Sequence, residues 1–138
     1  MGPRMMGGSM ARHHQAMMGG IPAPYDGLTN PLPRTREIVE RGAAIYSESC
    51  ASCHGAGGLG NGEAGRELSP PPANLAMLVQ MPMMRDDRYL FWAISEGGAA
   101  FGTAMPAFRD SLSAEEIWSV VRFLQAGLPK ASGTEAPK

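Results

Sequence analysis

The spacing of hydrophobic positions predicts a helix over about residues 35–50. Thr35 is a suitable N-cap for it, and Glu37 lies in the first turn, where the helix dipole favours a negative charge. The apolar or small residues recur at i, i+4, i+7 and i+8 and so share one face. They are Ile38, Gly42, Ile45 and Tyr46.

Two further helices follow from the same kind of pattern. The first begins at residue 86 or 87, behind an acidic cap, and ends at residue 96 before two glycines. The second begins at Ser113, which forms a capping box with Glu116, and ends before Gly127 and Pro129. Its expected buried stripe consists of Ile117, Val120, Val121 and Leu124. Because no alternating strand pattern is present, the predicted fold class is all-α.

The remaining segments lack a sustained period of either kind. Residues 1–34 contain six of the eleven methionines, a pair of histidines and several prolines, so we expect them to be flexible or extended. Residues 55–74 are expected to form a loop that the prolines at 70–72 hold extended. The predicted organisation is an N-terminal segment of residues 1–34, a domain of residues 35–128 and a disordered tail of residues 129–138.

The two cysteines of the chain occur together in Cys50-Ala51-Ser52-Cys53-His54. Two thiols at this spacing followed directly by a histidine are the attachment signature of a c-type haem. The thiols add to the two haem vinyl groups as thioethers, and His54 can then present a ring nitrogen as the proximal axial ligand. The motif therefore predicts one covalently bound haem, which would also supply apolar volume to a chain with few aromatic residues.

A redox dithiol, a zinc site and a dinucleotide site would each need a context that the chain lacks. A thioredoxin-like dithiol needs a βαβ unit, which the pattern does not contain. A four-ligand zinc site needs a second Cys or His pair, and none follows His54. Residues 60–65 match G-x-G-x-x-G, but neither a preceding strand nor a following helix accompanies them. With a net charge of −1 and intermixed charged residues, a nucleic-acid partner is not expected either.

Together these parts resemble class I cytochromes c, the small mono-haem type, and are most similar to the bacterial oxidase-related branch. The resemblance extends over about residues 35–127 and includes the haem motif, the loop ending in Pro72-Ala73-Asn74-Leu75, residues 102–108 and residues 118–124. It implies a cytochrome c fold with three or more helices around one haem c, and Met105 as the distal ligand. It also implies that a loop proline carbonyl accepts the second N–H of His54; among the prolines at 70–72 we favour Pro72.

The sequence context also favours Met105 over Met81, the other methionine that precedes a proline downstream of His54. Glycines give the chain a flexible approach to Met105, and Pro106 stiffens the segment that carries its sulfur. Iron held by His54 and Met105 has no open position. The predicted function is therefore single-electron carriage between a donor and an acceptor protein, without a small-molecule substrate or catalysis by the chain itself. A membrane-bound respiratory or oxidoreductase complex is one candidate partner.

Two further functions remain as alternatives. A peroxidase-like haem enzyme would need a vacant or labile distal position. A copper-handling protein could use the methionines and His13-His14 of residues 1–34, since thioethers suit Cu(I) and imidazoles suit copper generally.

The haem motif also predicts a location. Covalent haem attachment of this type takes place on the periplasmic or equivalent extracytoplasmic side, and no apolar run approaches the roughly 18 residues of a membrane span. No hydrophobic segment follows Arg4, so we expect a signal or membrane anchor that this sequence does not include.

Overall fold

In the computed structural model, which describes residues 10–129, the chain is all-α, as predicted. No strand occurs within these residues, where short 3₁₀ turns connect the helices. The α-helices of this part of the chain are α1 (Ala11–Gly19), α2 (Arg36–Ser49), α3 (Ala51–His54), α4 (Leu75–Leu78), α5 (Asp87–Glu96) and α6 (Ala114–Gln125). None of the helices described is long and apolar enough to cross a bilayer.

Helix α2 begins at the predicted position but ends before the haem motif. The Thr35 hydroxyl accepts a hydrogen bond from the Ile38 amide at 3.2 Å and caps the helix. Cys50, with φ of −121°, interrupts the helix, and the remainder of the motif forms the separate short helix α3. The helix predicted over about residues 35–50 therefore ends at Ser49, and the motif forms a helical turn of its own.

Helix α6 has the termini that its sequence predicts. The Glu116 amide donates to the Ser113 hydroxyl at 3.1 Å, and the Ser113 amide donates to the Glu116 carboxylate at 2.8 Å. At the other end, the amides of Gly127 and Leu128 donate to the carbonyls of Leu124 and Phe123, with Gly127 at φ +92°. This is a Schellman motif, which only a residue free to adopt positive φ allows at low cost. The predicted stripe is fully buried.

The close crossing of α2 and α6 forms the centre of the fold. A Cβ atom at Gly42 would overlap the Ser119 carbonyl and lie 2.8 Å from the Phe123 Cβ, so only glycine permits this approach. Next to it, the rings of Tyr46 and Phe123 lie 5.2 Å apart. The sequence pattern placed Gly42 on the apolar face of α2, and the structure identifies Ser119 and Phe123 as its contacts.

Helix α5 packs against α6 through an aromatic contact. The rings of Phe91 and Trp118 stack at a centroid distance of 4.0 Å. The Asp86 carboxylate caps α5 by accepting the Arg88 amide at 2.7 Å, and the helix ends at Glu96, before Gly97, as predicted.

Residues 10–34 are not flexible or extended, which corrects the sequence-based expectation for them. They include α1, and Tyr25 and Asn30 are buried against the core. The Tyr25 hydroxyl donates to the Glu96 carboxylate, and the Asn30 side-chain amide donates to the Trp118 carbonyl at 3.1 Å. Arg122 of α6 in turn donates to the Leu32 carbonyl at 2.7 Å. The predictions for residues 1–9 and 130–138 fall outside the described residues.

The chemical nature of these contacts and their separation in sequence explain why the sequence pattern did not predict them. They use polar side chains and backbone carbonyls that are separated by 71 to 90 residues, so they leave no local apolar period. The Gly19-Gly20 pair was the available signal, because Gly20 at φ +82° terminates α1.

We expect Gly42→Ala to destabilise the protein by about 1–2 kcal/mol. Overpacking at the crossing costs about 1–3 kcal/mol, and the better helix propensity of alanine recovers up to about 1 kcal/mol. Urea unfolding of the holoprotein measures the difference. Gly57→Ala is the matched control, since a Cβ there meets nothing within 4 Å. Equal stability of the two variants would contradict the close-approach role of Gly42.

Candidate functional site

A largely apolar cavity lies between α2, α3, α5 and α6 and is closed by the proline-rich loop and the segment before α6. Its aliphatic lining consists of Leu68, Leu75, Leu78, Leu90, Ile94, Val120 and Leu124. All five predicted site residues line the same cavity, namely Cys50, Cys53, His54, Pro72 and Met105. Residues up to 55 positions apart in sequence thus meet at one site.

The imidazole of His54 is oriented by a backbone carbonyl. Its Nδ1 lies 3.0 Å from the Ala73 carbonyl oxygen, which can only accept, so Nδ1–H donates and Nε2 is left for a metal. The expected acceptor was Pro72, and this expectation is wrong by one residue. The Pro72 carbonyl is turned towards Gly60, where a Cβ would lie only 2.8 Å from its oxygen.

The loop between the motif and α4 is held by backbone hydrogen bonds from its glycines. The Gly60 amide donates to the His54 carbonyl at 2.7 Å, and the Gly62 amide donates to the Cys53 carbonyl at 3.0 Å. The Gly58 carbonyl accepts the amides of Leu75 and Ala76. The loop therefore folds back on the motif and brings Ala73 beside His54.

Burial determines the protonation of the site. It lowers the pKa of His54, although the hydrogen bond to Ala73 acts in the opposite direction, so the ring is neutral near pH 7 and able to coordinate a metal. Burial, reinforced by the charge of Cys53, raises the pKa of Cys50 to about 12. Without a bound group, Cys50 is therefore a thiol rather than a thiolate, which disfavours a reactive dithiol.

Met105 is held at the cavity by the turn that precedes it. The Gly98 amide donates to the Met105 carbonyl at 3.0 Å, and Gly97 packs against the Pro106 backbone. The methionines between α4 and α5 differ in environment: Met77, Met81 and Met83 are exposed and Met84 is buried away from the cavity. These positions favour Met105 over Met81 as a ligand.

These residues fit a haem c. The cavity offers two thiols, a neutral imidazole with a free Nε2 and a thioether, and the rest of its wall is mostly apolar.

The sequence analysis did not identify one polar residue of this cavity, Arg12 of α1. Its side chain is only 8% exposed, and one terminal nitrogen donates to the Gly97 carbonyl. The other, Nη1, is buried without a hydrogen-bond partner. No sequence signal marks this residue, since its segment has no apolar period.

The copper alternative depends on the methionines and histidines of α1 and the residues before it. Within residues 10–129, no group of three or more His, Cys, Asp or Glu side chains could hold a metal ion. His14, Met17 and Met18 are exposed to solvent. The copper alternative stays a prediction.

Comparison with known proteins identifies related cytochromes. The family model described as "Cytochrome C oxidase, cbb3-type, subunit III" matches residues 37–124. The chain is 30% identical over 105 residues to the alcohol dehydrogenase (quinone) cytochrome c subunit of Gluconobacter oxydans strain 621H, a match that covers 74% of this chain and 21% of that one. This chain therefore spans about a fifth of the length of this curated relative.

A solved structure resembles the fold over a larger part of the chain. It belongs to the reducing HAO-like protein complex of Kuenenia stuttgartiensis, with a TM-score of 0.58 and 25% sequence identity. The similarity covers 81% of this chain and 53% of the solved one.

We expect Gly60→Ala to disturb the orientation of His54 without removing it. A Cβ at Gly60 would crowd the carbonyls of Pro72 and Ala73, and φ of +85° disfavours any side chain there. If this weakens the bond from Nδ1–H by about 1 kcal/mol, exchange of that proton with solvent should be roughly five-fold faster in NMR spectra. Gly57→Ala is again the control, and identical exchange rates in both variants would contradict the role of Gly60.

Proposed function

Because this chain belongs to the family of cytochrome c domains described as "Cytochrome C oxidase, cbb3-type, subunit III", we propose which of its residues hold and use the haem. As a member, the chain contains covalently bound haem c and transfers electrons. The proposed residue assignment rests on one observation, the convergence of Cys50, Cys53, His54 and Met105 on a single apolar cavity.

In this assignment, Cys50 and Cys53 provide the two thioether links to the vinyl groups. His54 would hold the iron through Nε2, and the hydrogen bond from Nδ1–H to the Ala73 carbonyl at 3.0 Å supports its orientation. Met105 would hold the iron through its sulfur. The haem, when bound, supplies a one-electron redox couple.

The chain's own residues make this redox couple suitable for carrying electrons, through the coordination of the iron and its reduction potential. With both His54 and Met105 holding the iron, no coordination position would be left for a substrate. The thioether of Met105 is a soft ligand that favours the ferrous state and raises the potential relative to two histidines. The aliphatic wall of the cavity excludes water and disfavours the additional charge of the ferric state.

The partners are other redox proteins, in our proposal those of an oxidoreductase complex. The curated relative is named as the cytochrome c subunit of a quinone alcohol dehydrogenase, and the solved relative is part of a complex. Small and short-lived interfaces suit such electron transfer. An adaptable apolar contact surface is offered by three exposed methionines. Met77 belongs to α4, which lines the cavity, and Met81 and Met83 follow this helix.

We infer that this function is carried out on the extracytoplasmic side of a membrane, in bacteria the periplasm. Covalent attachment of haem to a Cys-x-x-Cys-His motif takes place there. The names of the relatives, both subunits or parts of oxidoreductase assemblies, are consistent with this location.

Met105→Ala should open the distal position. We expect loss of the sulfur–iron charge-transfer band of the oxidised protein, a potential lowered by on the order of 100 mV within the roughly 0.8 V that axial ligands span, and binding of CO. Met81→Leu, at an exposed position, should change none of these properties. The reverse behaviour of the two variants would disprove the assignment, and ready CO binding by the unaltered protein would favour the peroxidase-like alternative.

Replacing both Cys50 and Cys53 by alanine should yield a largely unfolded apoprotein. The haem fills the cavity around which α2, α5 and α6 pack, so its loss removes ligand-linked stability. Circular dichroism and thermal unfolding measure this, and Ser52→Ala, an exposed change inside the motif, is the control. A cooperatively folded, haem-free double variant would contradict the coupling.

A further inference from the structure

Arg12 has an environment that a structural arginine does not explain. It lies on α1, outside the residues 37–124 that match the family model, yet its side chain reaches the haem cavity. Its guanidinium carbon lies 4.4 Å from the ring centre of Trp92 and 4.6 Å from that of Phe101. These rings and the Gly97 carbonyl hold the group in place, but they do not neutralise it.

The guanidinium has no carboxylate partner in the part of the chain described. Burial lowers the pKa of Arg12, with opposing effects from Tyr89, Glu96 and Tyr25, but a guanidinium remains charged in proteins. The Glu96 carboxylate instead accepts hydrogen bonds from the Tyr25 hydroxyl and, at 3.3 Å, from Arg109. A buried cation with an unpartnered Nη1 calls for an anion from outside the chain.

The expected occupant of the cavity has suitable anions. A haem c carries two propionates on the half of the macrocycle opposite its two vinyl groups. The vinyl groups would be attached to Cys50 and Cys53, which lie at α2 and α3, whereas the contacts of Arg12 are with α5 and residues 97–101. The planar fork of a guanidinium matches a carboxylate with two parallel hydrogen bonds.

We propose that Arg12 binds a haem propionate, so that α1 closes over the propionate edge of the haem and raises its reduction potential. This inference rests on the proposed haem assignment. The positive charge of Arg12 offsets the propionate, which otherwise favours the ferric state, and it also keeps that propionate deprotonated. The N-terminal segment is then a positioning element of the redox site rather than a spacer.

The test compares the reduction potential of the holoprotein and of Arg12→Gln between pH 5 and 9. We expect about a tenfold shift towards the oxidised form in Arg12→Gln, equivalent to about 59 mV lower potential for one electron. Arg36→Gln is the control, since this side chain is 87% exposed in the first turn of α2 and pairs with Glu40. It should shift the equilibrium less than twofold.

The pH profile separates binding of a propionate from simple packing. Without Arg12 the propionate pKa rises into the measured range, so the potential of Arg12→Gln should fall as pH increases through it. Burial raises the pKa of Tyr89 to about 12 and also raises that of Tyr25, so neither tyrosine should titrate in this range. His13, the adjacent titratable residue, is controlled by repeating the profile in a His13→Asn background.

The role of Arg12 and the haem assignment fail in different ways. An Arg12→Gln protein that keeps its haem and its sulfur–iron band but shows an unchanged potential and no new pH step would overturn the role of Arg12 alone. A wild-type protein without covalent haem or that band would instead overturn the haem assignment. If Arg12→Gln does not fold, the contact between Arg12 and the propionate is tested by redox-difference infrared spectra of protein labelled with ¹³C-guanidino arginine. We expect a guanidinium band that Arg12→Lys removes, and its absence from the wild type refutes the contact.

Discussion

The close approach of α2 and α6 at Gly42 is the constraint on which the rest of the molecule depends. The Ser119 carbonyl occupies the space that a side chain at Gly42 would need. Because the two helices meet backbone to backbone there, Tyr46 packs on Phe123 and its hydroxyl donates to the Gly55 carbonyl at 2.7 Å. The crossing thus holds the end of the haem motif in a fixed relation to α6, which contributes the inner wall of the cavity.

The geometry of the cavity depends on backbone groups more than on side chains. His54 is oriented by a carbonyl, the loop beyond it is held by amides of glycine, and Met105 is held by a bond to the Gly98 amide. Polar groups satisfied in this way leave the wall itself mostly apolar. A neutral imidazole and a thioether therefore face a mostly apolar interior, an environment that favours a ferrous ion over a ferric one.

The N-terminal segment extends the domain beyond the region that defines the family. Buried Arg122 of α6 holds it by donating to backbone carbonyls at Asn30 and Leu32, and lies 3.7 Å from the Asp87 carboxylate. Tyr25 reaches α5 through Glu96. These polar contacts fix the segment on the domain. Arg12, on α1 of the same segment, then reaches the haem cavity.

The amino-acid sequence alone determined the elements with local signals. The caps at Thr35, Asp86 and Ser113 and the Cys50–His54 motif each act over a few residues, so α2, α5, α6 and the cofactor were predictable. What only the tertiary structure decided involves residues far apart in the chain. Ala73 rather than Pro72 accepts the bond from His54, since the path of the folded loop decides which carbonyl lies beside the ring. Residues 10–34 are held by partners 57 or more positions away, contacts that no periodicity in the segment itself could record.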